Sequence, residues 1–532
     1  MNRYSFTVVA LAMIFPLNLL AGDLLTPVAA ERLGMVESWH RQLGTPGGAG
    51  SIVDIQLWVQ RNTEREFVEV VRADKDGKPV EGGEVLRRIC VETINSSGVA
   101  IGAVEAERLA KIDVLKLERR GVAATHRQLK IRQVRLYVLG DDGGLSATDA
   151  ETGESLWSLR IGDPNLGYGL LGIADGYVTV INGTTMYRVI ADARKAGTDS
   201  STLPGGRPIA AVRLDRIPTM GATNTNSYVV IPNTRNGIDC YSYEEEPGQP
   251  DFQRFNGQVI SKPVRYPTSS KVAWTTERGF TYVMETDGRP STLFRLQTDG
   301  KVAGGVAAAS NDRFFFGSAG GRVYGIRATR TGEVIWNRSF GEPFYVAPFV
   351  SGEHVLIASS YGNLFSLKAS DGTQEWAAPA PNVETIFASA GAYYFGRTTS
   401  GLLTILNRES GQAVSVGDSV FVDRMVTNPE TDRIYLLSDG ATIQCLRPTT
   451  SELPVFASDA ATPAEMEPKE EVKKPKPGGS DPFGAEDAGG EMAPADGDAP
   501  GADPFGGAAD PFGSGDAAGG EPAMEDPFGA AG

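Results

Sequence analysis

Residues 321–336 read Gly-Arg-Val-Tyr-Gly-Ile-Arg-Ala-Thr-Arg-Thr-Gly-Glu-Val-Ile-Trp, and residues 362–376 read Gly-Asn-Leu-Phe-Ser-Leu-Lys-Ala-Ser-Asp-Gly-Thr-Gln-Glu-Trp. A third copy runs from Gly144 to Trp157. In each, an alanine (Ala150, Ala328, Ala369) precedes a glycine (Gly153, Gly332, Gly372), and a tryptophan (Trp157, Trp336, Trp376) follows that glycine by four positions. Weaker copies begin at Gly183, Gly237, Gly279, Gly401 and Gly440. With Gly143, Gly321 and Gly362 these make eight starting glycines, separated by 40, 54, 42, 42, 41, 39 and 39 residues. A period near 40 marks a stack of small units, none of which can bury its apolar face alone.

One unit, between Tyr345 and Ala378, shows what each contains. Val346-Ala-Pro-Phe-Val and His354-Val-Leu-Ile-Ala are followed by a turn at Gly362-Asn363, then Leu364-Phe-Ser-Leu-Lys, a turn at Asp371-Gly372, and Gln374-Glu-Trp. Apolar residues in short runs bounded by Gly and Asp turns read as antiparallel strands and hairpins. A four-stranded sheet must cover both faces, and radial stacking of such sheets also removes long exposed edges. An open solenoid is the competing arrangement, but its repeats are usually shorter or contain helices. The expected fold is all-β: an eight-bladed β-propeller of four-stranded antiparallel blades over residues 131–457. A tryptophan placed after the turn of one blade can wedge against the backbone of the next, burying roughly 200 Å². Gly153, Trp157, Gly332, Trp336, Gly372 and Trp376 are therefore expected to be structural blade-docking residues. The other five units lack that tryptophan.

The remaining sequence divides by composition. The chain has 532 residues, more than one compact core accommodates, and 64 glycines. Its formal charge of −16 is concentrated: residues 458–532 carry −13 and the rest only −3. No basic patch suited to nucleic acid is present. Residues 458–532, rich in Ala, Gly, Pro, Asp and Glu, cannot bury enough apolar surface to offset chain entropy and read as a disordered tail. Asp-Pro-Phe-Gly recurs there four times, placing Phe483, Phe505, Phe512 and Phe528 as possible partner-binding stickers whose repetition raises avidity. A repeat-expanded spacer is the plain alternative. Residues 1–22 read as a secretory signal peptide, with Arg3 ahead of an apolar stretch. Asp23 stands where a lipid-bearing cysteine would be needed, so no lipid anchor is expected, and no later segment is apolar enough to span a membrane.

The pattern Ala150-Glu-Thr-Gly153-Glu-Ser-Leu-Trp157, with its variants at Gly332–Trp336 and Gly372–Trp376, resembles the repeat of the PQQ-like eight-bladed propellers. The resemblance covers roughly 320 residues, strongly in three units and weakly in five. That superfamily holds quinoprotein dehydrogenases, which carry pyrroloquinoline quinone and calcium, and non-catalytic scaffolds such as the assembly factor BamB. The dehydrogenases commonly carry a vicinal disulfide, whereas Cys90, Cys240 and Cys445 are far apart here. No clustered oxygen ligands for calcium stand out. The resemblance therefore leans to the scaffolds, with no cofactor, no metal and no catalytic residue expected.

Several local patterns are decoys. Gly167-Tyr-Gly-Leu-Leu-Gly172 fits a dinucleotide fingerprint, but a strand-like run follows it where a helix is required. Asp74-Lys-Asp-Gly77 begins like a calcium loop without the closing Glu and reads as a hairpin turn. Asn95, Asn182 and Asn337 head sequons that matter only in a glycosylating host. Ahead of the repeats, residues 23–130 read as a small N-terminal α+β appendage: helical spacing over Val28–Leu43, two strands within Ile52–Arg72 and a charged helix over Val104–Arg119, with Trp39 and Trp58 as packing anchors.

The sequence thus points to an exported, periplasmic or envelope-associated, non-enzymatic scaffold that binds protein partners. A PQQ- and calcium-dependent dehydrogenase of alcohols or sugars, and an envelope structural protein recruited through its tail, are the alternatives.

Overall fold

The computed structural model describes residues 24–457, apart from 75–77, 80–84, 94–99, 193, 196–201, 204, 244–248 and 416–419. The expected signal segment, the tail with its four phenylalanines, the Asp76-Gly77 turn and the Asn95 sequon all lie outside the described residues.

The chain is mostly β, and its sheets follow one another in sequence order. The first contains Ile52–Arg72, Ala124–Gly140, Gly144–Asp149 and Ser155–Arg160, with Val85–Cys90 added at one edge. The second runs Gly172–Ile173, Tyr177–Asn182, Thr185–Ile190 and Pro208–Arg213, and the third Thr223–Asn224, Tyr228–Asn233, Gly237–Ser242 and Asp251–Arg254. The fourth contains Lys271–Thr275, Phe280–Glu285 and Ser291–Gln297, with Val259 and Val264 bridging to its first strand. The fifth is Ala307–Ala309, Arg313–Gly317, Arg322–Arg327 and Glu333–Ser339. The sixth (Phe349–Ser351, His354–Ala358, Leu364–Lys368) and seventh (Val383–Ala390, Tyr393–Thr398, Leu403–Asn407) each gain a fourth position through the bridges at Gln374 and Ala413. The eighth is made of Arg424–Met425, Ile434–Leu437, Thr442–Pro448 and, from the start of the chain, Met35–Gln42. A two-stranded ribbon, Arg194–Lys195 with Thr202–Leu203, stands apart among the described residues.

The burial pattern explains why these units stack. Second strands are covered on both faces: all five residues of Arg313–Gly317 are buried, including Phe314, Phe315 and Phe316. Fourth strands such as Ser155–Arg160 are mostly exposed or half-exposed. Apart from the one beneath the helix Gly102–Glu118, each apolar cluster lies between two neighbouring sheets. Ile357 of the sixth sheet meets Phe315 and Trp336 of the fifth, and Tyr394 of the seventh meets Leu356 and Trp376 of the sixth. The eighth sheet packs on the first in the same way, Tyr435, Leu437 and Ile443 against Val59, Val134 and Leu136. Arg433, fully buried, reinforces that contact by donating to Glu151 at 3.0 Å.

Two differences from the sequence expectations have clear causes. Val28–Leu43 is not one helix: a six-residue helix, Pro27–Arg32, ends near Gly34 (φ +65°), and Met35–Gln42 is a strand. Its ladder partner, Thr442–Pro448, comes from the far end of the repeats, and no local pattern announces a partner so distant. Ile52–Arg72 is likewise one strand of 21 residues, paired along most of its length with Ala124–Gly140. The register slips between Val59 and Glu64. Up to that slip the pair belongs to the first sheet; beyond it, the pair carries Val85–Cys90 and the helix Gly102–Glu118, whose Ala106 and Ala110 seal Val68 and Val70. The expected charged helix is thus present, and the α+β region is an expanded hairpin between the first two strands of the first sheet.

Candidate functional site

Each expected tryptophan stands on the glycine of the following sheet. Trp336 Nε1 donates to the Ala369 carbonyl at 2.9 Å, and a Cβ on Gly372 (φ +70°) would fall 2.5 Å from the Trp336 ring. Trp376 repeats this with the Arg408 carbonyl and Gly411, and Trp157 with the Ala191 carbonyl and Gly206. Gly153 receives a ring that the repeat pattern did not assign: Trp39, from the eighth sheet, donates to the Ala150 carbonyl at 3.0 Å and lies across Gly153. Gly332 receives Phe294. Trp39, expected as a packing anchor of the N-terminal region, lies outside the repeats in sequence and so was not paired with Gly153, and Phe294 follows its turn glycine, Gly288, by six residues rather than four.

Alternation of antiparallel strands gives the array two different ends. At one end lie the turns joining second to third strands and the connections between sheets. There several exposed large apolar side chains lie: Leu166, Leu170, Ile217, Tyr345 and Phe421 on connections, and Tyr361 on the second-to-third turn of the sixth sheet. Leu166 lies against Gly183 and Phe421 against Gly401, so connection and turn form one surface. The glycine-rich segment Gly167–Gly172 belongs to this surface and leads into strands, with Gly169 donating to the Ile181 carbonyl; it opens no helix.

The first strands converge on the middle of the array. Gln56 and Leu57 of the first sheet, Val264 beside the fourth, Ala307 of the fifth, Phe349 of the sixth and Thr427, just after the first strand of the eighth, share one cavity of about 370 Å³. Near it Asp54 accepts from the Leu171 backbone at 2.8 Å and from Gln56 at 2.5 Å. Lys262 donates to the Leu171 carbonyl. Burial pulls its ammonium below the ordinary lysine range, against the opposing pull of Asp54.

Among the described residues no group of three His, Cys, Asp or Glu side chains is arranged to hold a metal, and no residue set is assigned here to calcium or a quinone. Cys240 and Cys445 are buried free thiols that burial pushes well above the ordinary thiol range, and Cys90 is a half-buried free thiol.

Residues 267–417 match the family model described as outer membrane protein assembly factor BamB. The matched stretch runs from the fourth sheet to the seventh, and it is there that the repeats are similar to the BamB-like, PQQ-like kind. No curated protein matches the chain. Among solved structures, BamB from Moraxella catarrhalis is similar at 15% identity with a TM-score of 0.44, over 59% of this chain and 91% of that one. A computationally designed protein, Ika8, is similar at 14% identity with a TM-score of 0.45, over 58% and 92%.

Proposed function

We propose that the chain is an exported, non-enzymatic scaffold of the cell envelope, built as a closed eight-bladed propeller, that binds a protein partner through its connection-bearing end. The observation that carries this reading is the concentration of exposed Leu166, Leu170, Ile217, Tyr345, Tyr361 and Phe421 on short loops at one end of the sheets. Rigid loops that present aromatic and aliphatic side chains supply anchors of the kind that dominate protein interfaces. The match of residues 267–417 to a model named for an outer-membrane assembly factor supports the envelope setting. In this reading the six glycines and tryptophans of the repeat fix blade spacing and take no part in binding.

The test is photo-crosslinking in the native cell, with the photoreactive residue placed at Tyr345 or Tyr361 and, as control, at Leu156 on an outer strand. A single protein adduct at the first two positions, absent at the third, is expected. Equal labelling at all three overturns the reading. So does dye reduction on adding pyrroloquinoline quinone, calcium and an alcohol or sugar.

A further inference from the structure

Away from the exposed loops, at the end where first strands turn into second strands, a separate cavity of about 370 Å³ lies among the first four sheets. Its walls are aromatic: Trp58, and the stacked pair Tyr177 and Tyr243, with ring centroids 5.0 Å apart. Two guanidinium groups, Arg61 and Arg265, also line it. Arg61 pairs with Glu430 through Nη2, but its Nε and Nη1 are buried without a hydrogen-bond partner. Arg265 donates through Nε to the Asn224 carbonyl at 2.5 Å, and through Nη1 to the carbonyls of Pro267 and Ser269 at 2.6 and 3.1 Å. No carboxylate among the described residues comes within ion-pairing distance of it. Asp175, the acid of the cavity, is already engaged by Trp58 Nε1 at 2.8 Å and the Arg61 backbone N–H at 3.0 Å.

A half-buried guanidinium met by carbonyls leaves an electrostatic demand that an anion satisfies; with Nε and Nη1 of Arg265 so engaged, Nη2 is the group left for a carboxylate oxygen. Burial pulls Arg265 below the ordinary guanidinium range, Tyr243 and Asp175 opposing and Arg61 reinforcing that pull. Past Trp58, Arg265 and Pro267 the cavity adjoins the central one, whose lining includes Ala307, Ala308, Ala309 and Pro348 and one carboxylate, Glu430, already paired with Arg61. Small, uncharged side chains suit the backbone of an extended segment better than a second charge.

We infer that this cavity binds the carboxylate of an acidic residue in an extended peptide segment, with a neighbouring apolar or aromatic side chain against Trp58 and Tyr243. The site lies at the end opposite the exposed loops and stands whether or not those loops bind a partner.

The experiment is calorimetric titration of the full chain with acetyl-Asp-Phe-amide and with its neutral isostere acetyl-Asn-Phe-amide. The aspartyl probe is expected to bind about tenfold more tightly, the worth of one charge-assisted hydrogen bond, and to weaken as salt is raised. Arg61→Gln is expected to erase the difference between the probes. Because that change strands Glu430, the double variant Arg61→Gln with Glu430→Gln, which removes both members of the pair, is measured beside it and should show the same loss. Equal affinity of the two probes, no binding of the aspartyl probe, or an undiminished preference in whichever variant folds would each overturn the inference. None of these outcomes bears on crosslinking at Tyr345 or Tyr361.

Discussion

A tryptophan seated on a glycine makes a contact whose two halves fail differently. Trp336→Ala empties a buried site and should cost about 3–5 kcal/mol in chemical denaturation. Trp336→Phe keeps a ring over Gly372 but leaves the Ala369 carbonyl without its donor, for a loss of about 1–3 kcal/mol. Gly372→Ala attacks the same contact from below, adding strain at positive φ to a clash with the ring, and should cost roughly 1–3 kcal/mol. If Gly372→Ala is neutral, the seat is looser than its geometry implies. Charge at this scale gives a pH dependence. Two hydrogen bonds from Arg313, at 2.9 and 2.7 Å, hold the Glu353 carboxyl below its usual value of 4.5. A depressed folded value means the stabilisation is complete above pH 4.5 and is lost as pH falls through that lower value. Glu353→Gln should therefore flatten the acid side of the urea-midpoint profile and leave its slope unchanged near neutrality. Thiol chemistry provides a third check: a native-state titration should modify Cys90 readily, whereas Cys240 and Cys445 should react only after unfolding.

At the scale of elements, the sequence was most legible where partners are near neighbours. Turn glycines such as Gly321 and Gly362, and the runs between them, carry their pairing within some ten residues, so the hairpins could be read directly. The seats of Trp157, Trp336 and Trp376 lie farther off, on Gly206, Gly372 and Gly411 of the following sheet, and only the spacing of the repeat, not a local pattern, relates each ring to its glycine. Met35–Gln42 was not legible, since residues spaced for a helix face also serve a strand once a distant ladder is offered. The cavity of Arg61 and Arg265 was invisible too, because it is assembled from the ends of four sheets and leaves no spacing in any of them. The expanded hairpin yields a prediction of its own. Replacing residues 60–133 by a two-residue Asn-Gly turn should leave the remaining sheets folded, with the same β-type circular dichroism. Its links to the rest include ion pairs of Arg61 with Glu430, Arg65 with Asp149 and Arg88 with Glu452, the last and most exposed worth about 1 kcal/mol or less. Loss of cooperative unfolding in that variant would show that the extension is integral to the stack of sheets.

For the molecule as a whole, stability depends on the first strand reaching the last sheet. Removing residues 1–42 takes away Trp39 and the ladder on Thr442–Pro448, and bares the Tyr435 side of the cluster between the eighth and first sheets. Limited proteolysis of that variant should cut first within the first or eighth sheet, and the thermal midpoint should fall; an unchanged digestion pattern would mean that the ends hold without the strand. The same pairing sets a timetable for the nascent chain. Trp39 leaves the ribosome roughly 400 residues ahead of its ladder partner Cys445, which at typical elongation rates is a wait of about 20–80 seconds. From the moment Gly153 follows, its seat lacks a held Trp39 and the flank of the earliest sheet stays open until the final hairpin arrives.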